Sequence, residues 1–239
     1  MRKYLLFSIL IILSAADITL SSAAPRKAKP EPAGRMGEKI VYNIKMAKVS
    51  LGSAEYYNVK RTLLNGQAAD LITFNTKMVR FKDLEKIYSD PRTFLPLKVE
   101  RDINNWPVQE KITELYDQKK FVLTITKFKG RKKEEMVIKK TSVIHNSIML
   151  PFYLRRIQNL KIGWTFTVQL PTQQFKIKLV AIENVSVPAG KFKAYRFESV
   201  PQKFQIWVTT DERRIPVKIR GAGALNYTMV MRDYNPPSQ

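Results

Sequence analysis

The chain has no cysteine and a single histidine, His145. Without cysteine there are no disulfides, thiolate-bound zinc, iron–sulfur clusters or thiol nucleophiles, and no cysteine for a bacterial lipid anchor. A lone histidine cannot build a His-rich metal site, so a catalytic zinc would have to rest on carboxylates. A Ser-His-Asp triad would have to use His145, and no nucleophile-elbow pattern accompanies it. His145 therefore reads as a loop or helix-entry residue. Glycine is scarce, nine in 239 residues, and none forms a phosphate-cradling loop. Acidic residues are also few: 20 Asp plus Glu against 42 Lys plus Arg, a formal charge of +22. Such a balance suits an anionic partner, or a soluble protein from an organism whose exported proteins run basic. Beyond the N-terminus no apolar run approaches the ~20 residues of a membrane-spanning helix.

At the N-terminus, Arg2 and Lys3 precede an apolar run from Tyr4 to Ala16, and a second stretch, Ile18 to Ala24, ends in small residues. This is the order of a signal peptide, with cleavage after Ala23 or, alternatively, after Ala16. An uncleaved leader is the other reading. Residues 24–37, rich in Pro, Lys and Arg, read as a basic spacer. Removing residues 1–23 takes away Arg2, Lys3 and Asp17, so the remaining 216 residues (239 − 23) still carry about +21. An exported, cysteine-free chain of this size points to a bacterial periplasm or envelope.

From Glu38 onward the dominant signal has period two. Ile40, Tyr42 and Ile44 alternate with Val41, Asn43 and Lys45; Phe121, Leu123 and Ile125 with Val122, Thr124 and Thr126; Trp164, Phe166 and Val168 with Thr165, Thr167 and Gln169. Half-buried antiparallel strands produce this alternation. Turn signals such as Asn65-Gly66, Asp90-Pro91 and Lys129-Gly130 separate the segments. The pattern predicts strands near 38–47, 53–62, 69–79, 84–90, 94–103, 107–117, 120–128, 133–141, 163–170, 174–184, 191–199 and 203–210. Two shorter ones follow near 215–220 and 225–233. One helix is predicted within 146–160, its start limited by Pro151. The expectation is an all-β fold, an antiparallel sheet curled into an open or spiralling barrel or a sandwich. A single β domain spans 38–234, and 235–239 form a disordered tail.

Several segments carry a family resemblance. They are Gly37-Glu38-Lys39-Ile40-Val41-Tyr42, Leu95-Pro96-Leu97-Lys98-Val99-Glu100-Arg101, Phe152-Tyr153-Leu154-Arg155, Val187-Pro188-Ala189-Gly190-Lys191-Phe192, and Trp207-Val208-Thr209-Thr210-Asp211 running on to Arg213-Arg214-Ile215-Pro216. In order and spacing they resemble the bacterial family known as domain of unknown function 3108, from about Gly37 to Tyr234. The usual Asp-Gly before the Arg-Arg-Ile-Pro segment is here Asp211-Glu212. The resemblance implies an exported envelope protein with a curled antiparallel sheet, and implies no reaction, cofactor or ligand residues.

Two arginines sit on apolar parity. Arg101 follows Leu95, Leu97 and Val99 on one strand face, and Arg196 follows Phe192 and Ala194, two residues before Glu198. A guanidinium drawn among apolar neighbours needs an internal acceptor or a bound anion, with Glu198 and Glu100 the nearby carboxylates. Arg155 and Trp207 complete the candidate ligand-binding set. The cluster Lys127, Lys129, Arg131, Lys132 and Lys133 at a hairpin tip is the candidate anionic-surface contact, or simply a solvated loop. Single-stranded nucleic acid would require stacked aromatics, and only Phe128 stands beside this cluster. Asp102, Glu110, Glu114 and Asp117 read as outward-facing strand residues. The expected role is a non-enzymatic binding or assembly module, without cofactor or metal. Its partner would be an anionic envelope lipid or polymer, met peripherally or through an uncleaved leader. A structural module docking other envelope proteins and a carboxylate-dependent hydrolase are the alternatives.

Overall fold

A computed structural model describes residues 35–47, 49–221 and 227–238. The leader, and the spacer up to residue 34, lie outside them. Fourteen strands form one antiparallel sheet: β1 (Lys39–Met46), β2 (Val49–Leu64), β3 (Gln67–Met78), β4 (Phe81–Ser89), β5 (Pro96–Asn105), β6 (Val108–Asp117), β7 (Val122–Lys129), β8 (Lys132–Lys139), β9 (Thr165–Gln169), β10 (Gln174–Val187), β11 (Gly190–Val200), β12 (Phe204–Thr209), β13 (Pro216–Gly221) and β14 (Tyr227–Asn235). Their spatial order is β8-β7-β6-β5-β4-β3-β2-β1-β14-β13-β12-β11-β10-β9. The chain starts mid-sheet and meanders outward to β8. Residues 140–164 then cross to the far edge, and the chain meanders back until β14 pairs with β1. Every strand predicted from period two is present.

Local chemistry sets the hairpins. The Asn65-Gly66 turn has both residues at positive φ, +51° and +80°, as the twist of a two-residue hairpin requires. At Gly52 a Cβ would stand 2.0 Å from the Lys77 carbonyl oxygen, so only glycine lets β2 lie this close to β3. The helix α1 (Leu150–Leu154) is shorter than its predicted window. Pro151 fixes its first turn, and the Asn146 side chain accepts the N–H groups of Ile148 and Met149 instead of opening a longer helix.

The crossover stitches the curled sheet. Gln118, between β6 and β7, accepts the Ile144 N–H at 2.9 Å, and the His145 N–H donates to the Gln169 carbonyl of β9 at 2.7 Å. Two apolar clusters lie on either side of the later strands. Tyr42, Tyr56, Ile72, Val99, Leu123, Phe152 and Trp207 belong to the first, and Leu154, Val168, Ile177, Phe197, Ile206 and Val208 to the second. The helix is their shared wall: Phe152 stacks on Tyr56 at 3.7 Å between centroids, while Leu150 and Leu154 face the second cluster. Adjacent Ile206 and Trp207 are therefore both buried, so β12 departs from the half-buried alternation. At the C-terminal end β14 runs through Asn235, and the Ser238 N–H donates to the Met36 carbonyl.

Candidate functional site

Strand register decides which side chains share the concave face of β4 to β8. One row holds Ile87, Val99, Glu114, Ile125 and Met136; the next holds Glu85, Arg101, Ile112, Lys127 and Glu134; a third holds Asp83, Ile103, Glu110, Lys129 and Lys132. The face is apolar beneath the crossover and becomes charged towards the β3–β4 and β5–β6 turns. There Arg101 bonds Asp83, and its Nε lies 3.3 Å from Glu85. Lys127 reaches Glu110 at 2.8 Å, with Lys129 at 3.7 Å, and Tyr116 donates to Glu114. Burial pushes Glu85 up to about 7, reinforced by Asp83 and Glu114 and opposed by Arg101. Burial raises Glu114 as well, against the pull of Tyr116 and Arg101. The cluster can thus hold a proton near neutrality, with each carboxylate engaged by a neighbouring donor.

This geometry corrects two readings. Glu110 and Glu114 face the concave side, not water: Glu114 shares its row with the core residues Ile87 and Val99, and Glu110 is itself buried two rows along on the same face; Asp102 and Asp117 are exposed. The Arg101 partners are Asp83 and Glu85 across the strand pair, whereas Glu100 pairs with Lys98 at 2.6 Å on the opposite face. Asp83 and Glu85 alternate with Lys82, Leu84 and Lys86, so the parity of β4 already marked them as Ile87-side residues.

The other candidates sit elsewhere. Arg155 forms a two-pronged ion pair with Glu38, at 2.7 and 2.9 Å, and its guanidinium also donates to the Arg213 carbonyl. Glu38 accepts the Tyr234 hydroxyl too, and both charges are almost wholly buried. Nothing in the run from Gly37 to Lys39 marks Glu38 as a hub; Arg35 also bonds it, at 3.4 Å, but Arg155 and Tyr234 lie more than a hundred residues away. Arg196 and Trp207 do come together. Glu183 accepts the indole N–H at 2.7 Å and lies 3.5 Å from Arg196, which also bonds Glu198 at 3.0 Å. Lys218 covers the indole at 4.5 Å. All four candidate ligand residues therefore have internal partners, in three separate places.

The basic hairpin is divided. Lys127 and Lys129 turn to Glu110 on the concave face, Lys132 and Lys133 pair with Glu134 and Glu135, and Arg131 forms no ion pair with a described residue. His145 is buried edge-on between Tyr153 and Phe166, with neither ring nitrogen hydrogen-bonded. Burial depresses its pKa to about 4. It borders a tight crevice against Phe94, Asn146, Met149 and Tyr153 that has no room for a water molecule. Among the described residues no group of three or more His, Asp or Glu side chains is placed to hold a metal ion.

The sequence model of the family described as protein of unknown function DUF3108 matches residues 41–230. The chain belongs to the DUF3108 family. Among solved structures this family member is similar to a β-barrel-like protein of domain of unknown function DUF1849 from Brucella abortus. The identity is 8%, the match covers 86% of this chain and 100% of the other, and the TM-score is 0.50. It also matches a candidate exported protein with a YmcC-like fold from Bacteroides fragilis, at 11% identity and a TM-score of 0.34, over 84% of this chain and 96% of the other. No curated protein matches. The likeness to the first structure is one of fold.

Proposed function

We propose that the protein is an exported, non-enzymatic binding or assembly module of the bacterial envelope, and that it engages an anionic amphiphile or polymer through cations on its surface. One observation carries this reading. Arg101, Arg155 and Arg196 are neutralised from within, by Asp83, Glu85, Glu38, Glu183 and Glu198, so the charge excess of the described residues rests on other cations, most of them exposed lysines and arginines. A surface of one sign raises the local concentration of an oppositely charged partner. The Arg2-Lys3 leader supports export. The inward carboxylates fit a structural role, since Arg101, Lys127 and Tyr116 already occupy them.

Native mass spectrometry of protein recovered from its own envelope tests the reading. Co-purifying anionic lipid or polymer is the expected result. Protein that emerges bare, and also fails to bind a soluble polyanion at low salt, would overturn it. N-terminal sequencing tests export separately: the mature chain should begin near Ala24 or Asp17, and intact Met1 in the cytoplasm would refute that part. A second reading, strand addition to another envelope protein at an open sheet edge, is favoured by β8, which pairs only with β7. Its Lys132-Lys133-Glu134-Glu135 run is the kind of charged edge that discourages such pairing.

A further inference from the structure

In an antiparallel meander, alternate turns fall on the same margin of the sheet. The turns β1–β2, β3–β4, β5–β6 and β7–β8 therefore share one margin, and the turns β2–β3, β4–β5 and β6–β7 share the other. The first margin has an unusual composition. Residues 45–53, 76–82, 103–109 and 127–133 contain no Asp or Glu, and they include Lys45, Lys77, Arg80, Lys82, Arg131, Lys132 and Lys133. Every tip also exposes a large apolar side chain: Val49 at 64%, Val79 at 87%, Trp106 at 66% and Phe128 at 43%. Two of the tips are joined, since the Trp106 N–H donates to the Arg80 carbonyl and the Arg80 guanidinium lies 5.4 Å from the indole centroid. Lys77, Arg80, Lys82 and Arg131 make no ion pair with a described residue. The opposite margin is different. Its turns contain Asp90 and Asp117, which hold nearby backbone N–H groups, Asp70 in the adjoining part of β3 holds Arg61, and Leu63 and Leu115 are its exposed large apolar residues.

A single exposed valine or tryptophan means little. One on each of four adjacent tips, set beside unpaired cations, with the nearest acids Asp83, Glu110 and Glu134 further down the strands and already paired, matches the chemistry of a lipid headgroup layer. Indole and aliphatic groups enter the boundary between headgroup and acyl chain, while Lys and Arg meet anionic phosphates. We infer that this margin docks peripherally on an anionic phospholipid membrane, with Trp106 and Val79 entering the interface and Lys77, Arg80, Lys82 and Arg131 on the headgroups. The inference rests on the proposed anionic-partner function and names its occupant.

Vesicles of phosphatidylglycerol mixed with phosphatidylcholine, against phosphatidylcholine alone, are the probe, with the leaderless chain. Binding by co-sedimentation is expected only with phosphatidylglycerol. It should weaken at least about tenfold in an Arg80→Glu, Arg131→Glu variant, since each cation near an anionic surface adds to attachment. Tryptophan emission should shift to the blue on binding. That shift should vanish in Trp106→Phe, because Trp207 is already buried and the half-buried Trp164 precedes β9, at the far edge of the sheet from these tips. Lys119→Glu, Lys120→Glu on the opposite margin should bind nearly as the parent does. Equal loss in both charge variants, or parental binding by the tip variant, would overturn the inference. Heparin serves as a soluble polyanion without acyl chains. Binding to heparin but not to vesicles would overturn membrane docking and leave the proposed function standing; binding to neither would overturn both. All these positions are exposed, and circular dichroism of each variant confirms that the sheet has formed.

Discussion

Arg155 and Arg101 are both arginines held by carboxylates from other segments, yet they occupy different physical regimes. The Arg155 side chain is 3% exposed and that of Glu38 0%, whereas Arg101 is 28% exposed on the open end of the concave face. The first pair joins the start of β1 to the end of α1 and, through Tyr234 and the Arg213 carbonyl, to β14 and the β12–β13 loop. The second joins neighbouring strands that the backbone already pairs. Water can replace part of what Arg101 loses and none of what Glu38 loses. An arginine read as a ligand contact can thus be a structural rivet, and the depth of its partner tells the two apart.

The largest effect should follow from Arg155→Met. It strands the buried Glu38 charge, and denaturant melts should show a loss of roughly 3–5 kcal/mol. Adding Glu38→Leu should recover part of that loss, because the unpaired charge is then gone. A single variant as stable as the parent would show that Glu38 is not buried in solution.

His145 provides the next test, through pH. Its folded pKa of about 4 lies below its unfolded value, so the neutral ring favours the folded state. That contribution is complete above about pH 6.5 and is lost as pH falls towards 4, at no more than about 1.4 kcal/mol per pH unit. Glu85 works in the opposite direction: its folded pKa of about 7 lies above the unfolded one, so its contribution is present below about pH 4.5 and is lost as pH rises through 7. His145→Phe should flatten the acid limb, and Glu85→Gln the limb nearer neutrality. Melts of both variants across this range that track the parent would show that neither group is held as its burial implies.

Arg101→Met should cost less than Arg155→Met, about 1–2 kcal/mol, since the Arg101 side chain is itself partly exposed and a raised Glu85 can take up a proton once the cation is gone. It should also raise the Glu85 pKa further, measurable by carbon-13 NMR of the labelled carboxyl, because the guanidinium is what opposes burial there. Equal destabilisation by the two arginine variants would break the contrast between rivet and open cluster. At the bottom of the scale, Trp106→Phe and Arg131→Glu should leave stability within about 0.5 kcal/mol, as exposed tip substitutions usually do. A larger loss would mean that the tips brace the sheet.

Much of the fold was legible because a strand writes its burial into its own sequence. Alternating Ile40, Tyr42 and Ile44 shows one face inside and one outside, and the fourteen strands follow from repeats of that signal. Parity also placed Arg101 on the inner face, correctly. The helix was overextended because spacing alone does not count the hydrogen bonds that Asn146 diverts or the turn that Pro151 fixes.

Period, turn chemistry and net charge are local or additive properties, so the sequence by itself determined an antiparallel β protein of strong positive charge, with its turns where Asn65-Gly66 and Lys129-Gly130 stand. Partnership is neither. Which carboxylate meets Arg101 depends on the register of β4 against β5, Glu38 meets Arg155 only because the crossover carries α1 back to the first strand, and four tips share a margin only because the meander alternates. Those pairings join residues far apart in the chain, and only the folded sheet sets the distances at which charges neutralise one another or remain free to face a partner.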